Sequence, residues 1–118
     1  MGETRVMDKA IQITDTLDRV IHERARLGIM TILSAEDEAE FTALKKILNL
    51  SDGNLNAHLK VLEKNGYVTV VKEFVKNRPR TVYRVTGEGR EAFEAYVGSL
   101  EKFLKSVSQK RGEDIHED

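Results

Sequence analysis

At Gly66 the hydrophobic period of the chain changes. Before it, Leu55, Leu59 and Leu62 recur at the helical spacing of about 3.6 residues; after it, Tyr67 to Lys76 is rich in Val, Tyr and Phe and reads at the strand period of about 2. Gly66 suits the left-handed residue that closes a helix. A helix, a glycine stop and a strand must therefore pack within one small unit. The chain has 118 residues. That length fits one domain, and it is too short for a TIM barrel or a two-half dinucleotide fold.

The remaining elements follow from spacing and capping residues. Val6, Ala10, Ile13 and Leu17 predict a helix over about 4–18. Leu27, Met30 and Leu33 predict a second over 23–34, followed by an acidic loop and a very short strand at Glu40-Phe41. Thr42 is a cap for a short helix over 43–48. Ser51 is a cap for the helix 51–65, with Asp52 in its first turn where the dipole favours a negative charge. Asn77-Arg78-Pro79-Arg80 reads as a turn around the only proline, and 81–85 as the return strand. Thr86 caps a last helix over about 87–109, and 110–118 reads as a flexible acidic tail. The expected order is α-α-β-α-α-β-β-α, mainly α with a β-hairpin. Two short helices joined by a tight turn and then a hairpin form a winged helix-turn-helix.

Charge is distributed unevenly along the chain. The formal net charge is −1. Residues 42–84 carry 9 basic and 3 acidic side chains, whereas 1–41 carry 5 and 9, and 85–118 carry 5 and 8. A positive middle between negative flanks matches an electrostatic footprint for nucleic acid, although clustering on a charged surface gives the same local count.

On a helical wheel, Leu55, Leu59 and Leu62 of the helix 51–65 form a buried seam. Gly53, Asn56, Ala57, Lys60 and Lys64 lie opposite, with Asn54 toward an edge. An outer face this small and polar fits a major groove about 12 Å wide. Asn pairs with adenine, Ala meets a thymine methyl and Lys reaches phosphate or guanine. Ser51 and the first backbone amides suit a phosphate. The alternative is an ordinary solvated face. His58 falls about 60° off the seam, where it packs at a boundary or donates to a phosphate. In the hairpin, Lys76, Asn77, Arg78, Arg80 and Arg84 make a basic wing with its tip at 76–80. Arginines there suit a minor groove or phosphates.

Leu27-Gly28-Ile29-Met30, Phe41-Thr42-Ala43-Leu44, the stretch LNLSDGNLNAHLKVLEKNGYV (48–68) and the stretch RPRTVYRVTGEGREAF (78–93) resemble winged helix-turn-helix transcriptional regulators of the small MarR/ArsR-like type. The resemblance covers about residues 20–105. It implies a homodimeric regulator of transcription, with 51–65 as recognition helix, 76–80 as wing tip and the terminal helices as dimer contacts. The sequence supports the last point separately. Phe93, Tyr96, Leu100, Phe103 and Val107 recur at 3-4-3-4 spacing, and Ile13 and Leu17 extend a seam on the first helix.

Several functions are set aside. The chain has no cysteine, which removes disulfides, thiolate metal sites and cysteine nucleophiles. Metal-sensing ArsR-type relatives commonly use cysteine ligands, so that role is not carried over. His116 among Glu113, Asp114, Glu117 and Asp118 reads as solvated tail, so no metal and no cofactor is expected. Catalytic motifs such as a P-loop, GxSxG or HExxH are lacking, and the protein is not expected to be an enzyme. No apolar run has the roughly 18 residues of a membrane helix, and Met1–Arg5 opens on mixed charge, so the cytoplasm is the expected compartment. The expected function is sequence-specific binding of double-stranded DNA by a homodimer acting as a repressor. A small-molecule effector is left open as a further partner. The alternative is a winged-helix protein–protein adaptor, which calls for an apolar or acidic face on the helix 51–65.

Overall fold

A computed structural model describes the backbone over residues 2–111, and the side chains from Arg5 to Gln109 except those of Val6, Lys9 and Ile13. The expected seam position Ile13 and the tail from residue 112 onward, His116 included, lie outside the described residues. The elements are α1 (Gly2–Asp15), α2 (Arg24–Glu36), β1 (Glu38–Glu40), α3 (Phe41–Leu48), α4 (Asp52–Lys64), β2 (Val68–Val75), β3 (Arg78–Val85) and α5 (Gly87–Arg111). This is the winged-helix order expected from the sequence. The chain divides into two compact units. One is Arg19–Phe93; the other is made by the two chain ends, up to Asp18 and from Glu94 onward.

In the central unit, Ile29, Met30 and Leu33 of α2, Leu44 of α3, and Leu55, Leu59 and Leu62 of α4 are fully buried, as is Ile21. Each helix contributes one apolar stripe, and their common burial drives assembly. The sheet is antiparallel with order β1-β3-β2. Val82 and Tyr83 of the middle strand are buried, and the Tyr83 ring lies 6.4 Å from that of Phe41 at a 42° tilt. Burial and the nearby Glu63 carboxylate both raise the Tyr83 phenol above its ordinary value. The end of α4 is a Schellman closure. The Tyr67 amide donates to the Leu62 carbonyl at 3.0 Å and the Gly66 amide to Glu63 at 2.9 Å, with Gly66 at φ +77°.

Four boundaries differ from the sequence reading. First, α1 ends at Asp15 instead of 18. The Thr14 hydroxyl donates to the carbonyls of Ala10 and Ile11, and Asp15 and Asp18 are acidic where the helix dipole disfavours negative charge. Second, α2 runs over 24–36 instead of 23–34, because Glu23 is its cap, with its carboxylate accepting from the Arg26 amide at 2.8 Å. Third, the short strand lies at 38–40, paired with β3, and Phe41 already belongs to α3; Glu40 holds the cap position there, not Thr42. Fourth, the hairpin turn is not Asn77–Arg80. It is the two-residue Lys76-Asn77, both left-handed at φ 53° and 64°, the type I′ geometry that matches strand twist.

Pro79 consequently sits inside β3, opposite Phe74. It tolerates that place because the amide position of residue 79 points away from β2. The same side of β3 carries the Val85 amide, which donates to the Asp37 carbonyl at 3.2 Å. Since β1 reaches only to Val82, nothing pairs with β3 on that side at Pro79.

Candidate nucleic-acid interface

α3 and α4 are joined by a turn that the local sequence builds. Asn49 is left-handed at φ 55° and closes α3, with its amide donating to the Lys45 carbonyl. Ser51 then opens α4, its hydroxyl accepting from the Asn54 amide at 3.1 Å. An ion pair of 2.8 Å between Lys45 and Asp52 spans the two helices. α4 is thus fixed at its start by a cap and along its length by three fully buried leucines.

The opposite face of α4 is bare. Gly53, Asn54, Asn56, Ala57, Lys60 and Lys64 are exposed, and Ser51 is exposed at the helix start. Away from α3 and the caps at its two ends, α4 has a polar tether at His58. Its Nδ1 lies 3.0 Å from the Arg26 guanidinium and 3.6 Å from the Glu23 carboxylate. Arg26 in turn donates to the Val20 carbonyl at 2.6 Å. His58 is therefore half-buried in a cluster with the start of α2. A cleft of about 500 Å³ opens beside it, lined in part by Arg24, Ile47 and Leu50.

Gly53 and Gly89 show opposite constraints. A Cβ at Gly53 meets nothing within 4 Å, so the protein's own packing does not require glycine there. A Cβ at Gly89 would overlap the Tyr67 carbonyl. Gly89 belongs to the joint between the hairpin and α5, where the Thr86 hydroxyl donates to Gly66 O at 2.6 Å and accepts from the Gly89 amide.

The hairpin sorts its cations into two groups. Arg80 and Arg84 do not lie at the tip. Arg80 contacts Glu40 at 2.8 Å and Glu73 at 3.3 Å, bridging all three strands, and Arg84 pairs with Glu38 at 2.8 Å. Lys72, Lys76 and Arg78 make no ion pair among the described residues, and 71–79 is exposed throughout. A turn centred on Pro79 puts Arg80 within the tip and Arg84 near it, whereas the observed turn leaves both back along β3. The signal for the true turn was Asn77, a residue that tolerates left-handed backbone. Strand periodicity marks Phe74 only as a strand residue, yet it is 75% exposed.

Apolar exposure is high on the terminal helices. Met7 (64%) and Ile11 (59%) on α1, and Leu104 (55%) and Val107 on α5, face solvent. Of the expected seam, Leu17 and Tyr96 are already buried in a single chain, and Phe93, Leu100 and Phe103 are half-buried. No helix among the described residues is long and apolar enough to cross a membrane, and no cluster of metal-binding side chains occurs among them.

Residues 25–104 match a family model described as a winged helix DNA-binding domain. The chain is 36% identical over 89 residues to an uncharacterized protein of Methanocaldococcus jannaschii, covering 75% of this chain and 97% of the relative. A transcriptional regulator homologue from Pyrococcus horikoshii OT3 superposes with a TM-score of 0.76 at 33% identity, over 85% of this chain and 97% of that one. A transcriptional regulator of the MarR family from Enterococcus faecalis V583 superposes at 0.64 with 26% identity, over 78% and 82%.

Proposed function

Because this chain belongs to the winged helix DNA-binding domain family, we propose that it is a regulator of transcription that recognises a specific site in double-stranded DNA as a homodimer. The observation that carries this reading is the bare face of α4. A helix buried along one side by three leucines presents glycine, two asparagines, alanine and two lysines on the other. Gly53 strengthens it. Glycine in a helix is less favourable than alanine by up to about 1 kcal/mol, and nothing in the chain would obstruct a side chain there. The open space serves an external surface that approaches closely.

In this reading α4 lies in the major groove. Asn54 and Asn56 supply base discrimination, about 1–3 kcal/mol for a good bidentate pair. Lys60 and Lys64 reach phosphate or guanine, and Ser51 with the first amides of α4 holds a phosphate. Lys76, Asn77 and Arg78 carry the wing contact, while Arg80 and Arg84 brace the sheet from which the wing projects. His58 sets the position of α4 on α2. The exposed Met7, Ile11, Leu104 and Val107 supply the self-association surface of the terminal helices. A symmetric pair would place two half-sites roughly 34 Å apart. Occupying a promoter in this way represses transcription.

The adaptor reading calls for an apolar or acidic α4 face, and this one is neither. The test is binding of the purified protein to a labelled duplex from upstream of its own gene, and to sites selected from a random-sequence library. Random competitor DNA is present, and several salt concentrations are used. A complex that survives competitor and weakens steeply with salt is expected. No binding at low salt would remove the DNA reading.

A further inference from the structure

The outer half of the hairpin carries an aromatic ring that the fold does not use. Phe74 is 75% exposed and stands directly across from Pro79. By strand alternation these two share a face with Lys72 and Thr81, while Val75 and Arg78 lie on the other. Beyond Thr81 the hairpin is a free ribbon of two strands, because β1 pairs no further than Val82. The charge around the ring is one-sided. Lys72, Lys76 and Arg78 are unpaired among the described residues, and the local carboxylate, Glu73, is held by Arg80.

A large exposed ring on a monomer's surface lies against water at some expense in free energy. Unpaired Lys72 on the same face, Lys76 in the turn and Arg78 on the other face give the outer hairpin a polyanion as its complement. The geometry points to Phe74, backed by Pro79, as an apolar wedge that enters the DNA minor groove beside the wing tip and bends the duplex. This inference rests on the DNA-binding reading above and adds to it a residue and a deformation. A B-form minor groove is about 6 Å wide. Strands about 4.8 Å apart with their side chains exceed that width, so the backbone stays at the mouth and the projecting ring does the inserting. Aromatic and proline side chains in this position partly unstack a base step and bend DNA by roughly 20–90°. The cations hold phosphates on either side while the ring spreads the groove.

The wedge and the cations leave different signatures. A phosphate contact releases counterions and so contributes to the salt slope, about 0.9 per charge. An apolar wedge contributes affinity without changing that slope. The experiment compares the native protein with Phe74→Ala, Phe74→Leu and Lys76→Ala on a short duplex carrying the selected site. Donor and acceptor dyes at the duplex ends report bending. Phe74→Ala is expected to bind roughly tenfold more weakly, with an unchanged salt slope and a smaller bend. Phe74→Leu should restore part of both. Because Phe74 is exposed, the unfolding midpoint should not move.

Phe74→Ala binding and bending like the native protein would overturn the wedge and leave the DNA reading standing. A fall in salt slope together with affinity would also overturn it, since the ring would then act only by placing the cations. So would a change in oligomeric state without DNA, which would assign the ring to a protein contact. If the native protein binds no duplex at all, the reading and the wedge fall together.

Discussion

α4 and the wing are neighbours in sequence and opposites in construction. α4 has one face sealed by Leu55, Leu59 and Leu62, a hydroxyl cap at its start and a Schellman closure at its end. The outer hairpin has no buried face, and its shape rests on a ladder of two strands and a Lys76-Asn77 turn. Reading base edges needs side chains held to within a fraction of an ångström, and a sealed helix provides that. Following a phosphate backbone tolerates adjustment, and a free ribbon provides that instead. On the proposed function, discrimination falls to α4 and salt-dependent affinity to the wing.

The largest expected effect tests the seal. Leu59→Ala should cost about 2–5 kcal/mol of stability in chemical denaturation, whereas Val71→Ala on the exposed part of the hairpin should cost less than about 0.5 kcal/mol. Equal losses would mean that the wing is as integral to the core as α4. Next come two glycines. Gly89→Ala should cost about 1–3 kcal/mol through overlap with the Tyr67 backbone. Gly53→Ala should leave stability unchanged or raise it by up to about 1 kcal/mol, while weakening DNA binding. A Gly53→Ala variant that binds as well as the native protein would break the claim that the open space is reserved for the groove.

Asn56→Ala should lose about 1–3 kcal/mol of preference for the selected site over a single-base variant. Its non-specific binding should hardly change, as competition titrations would show. The smallest effect is Lys76→Ala. It should lower the slope of log affinity against log salt by about 0.9, with equal weakening on selected and random duplex. A loss confined to the selected site would move the wing from affinity to discrimination.

Much of this is legible in the sequence, and the exceptions have identifiable causes. The two faces of α4, its Ser51 cap and its Gly66 closure are local features, each decided by residues within a few positions. The turn is misplaced from sequence because proline signals a bend unless its missing donor faces an unpaired edge, and only the strand order reveals that edge. Arg80 read as a free wing charge because its partner Glu40 is far away in sequence and meets it only once β1 joins the sheet. The wheel angle of His58 leaves a boundary place and a phosphate contact both open, and its neighbours Glu23 and Arg26 come only with the packing of α2 on α4. Phe74 was invisible as a surface ring, since strand periodicity does not say where a sheet stops being covered.

Pro79 has a further consequence, for solubility. A three-residue β1 leaves the outer margin of β3 open toward the tip, and such a margin invites a strand from another molecule. Of the residues there whose amides point outward, Pro79 has no hydrogen to offer, so an incoming strand would meet a gap in the ladder. The proline acts as a gatekeeper. Replacing it by valine should leave the monomer's fold intact and increase light scattering of concentrated solutions.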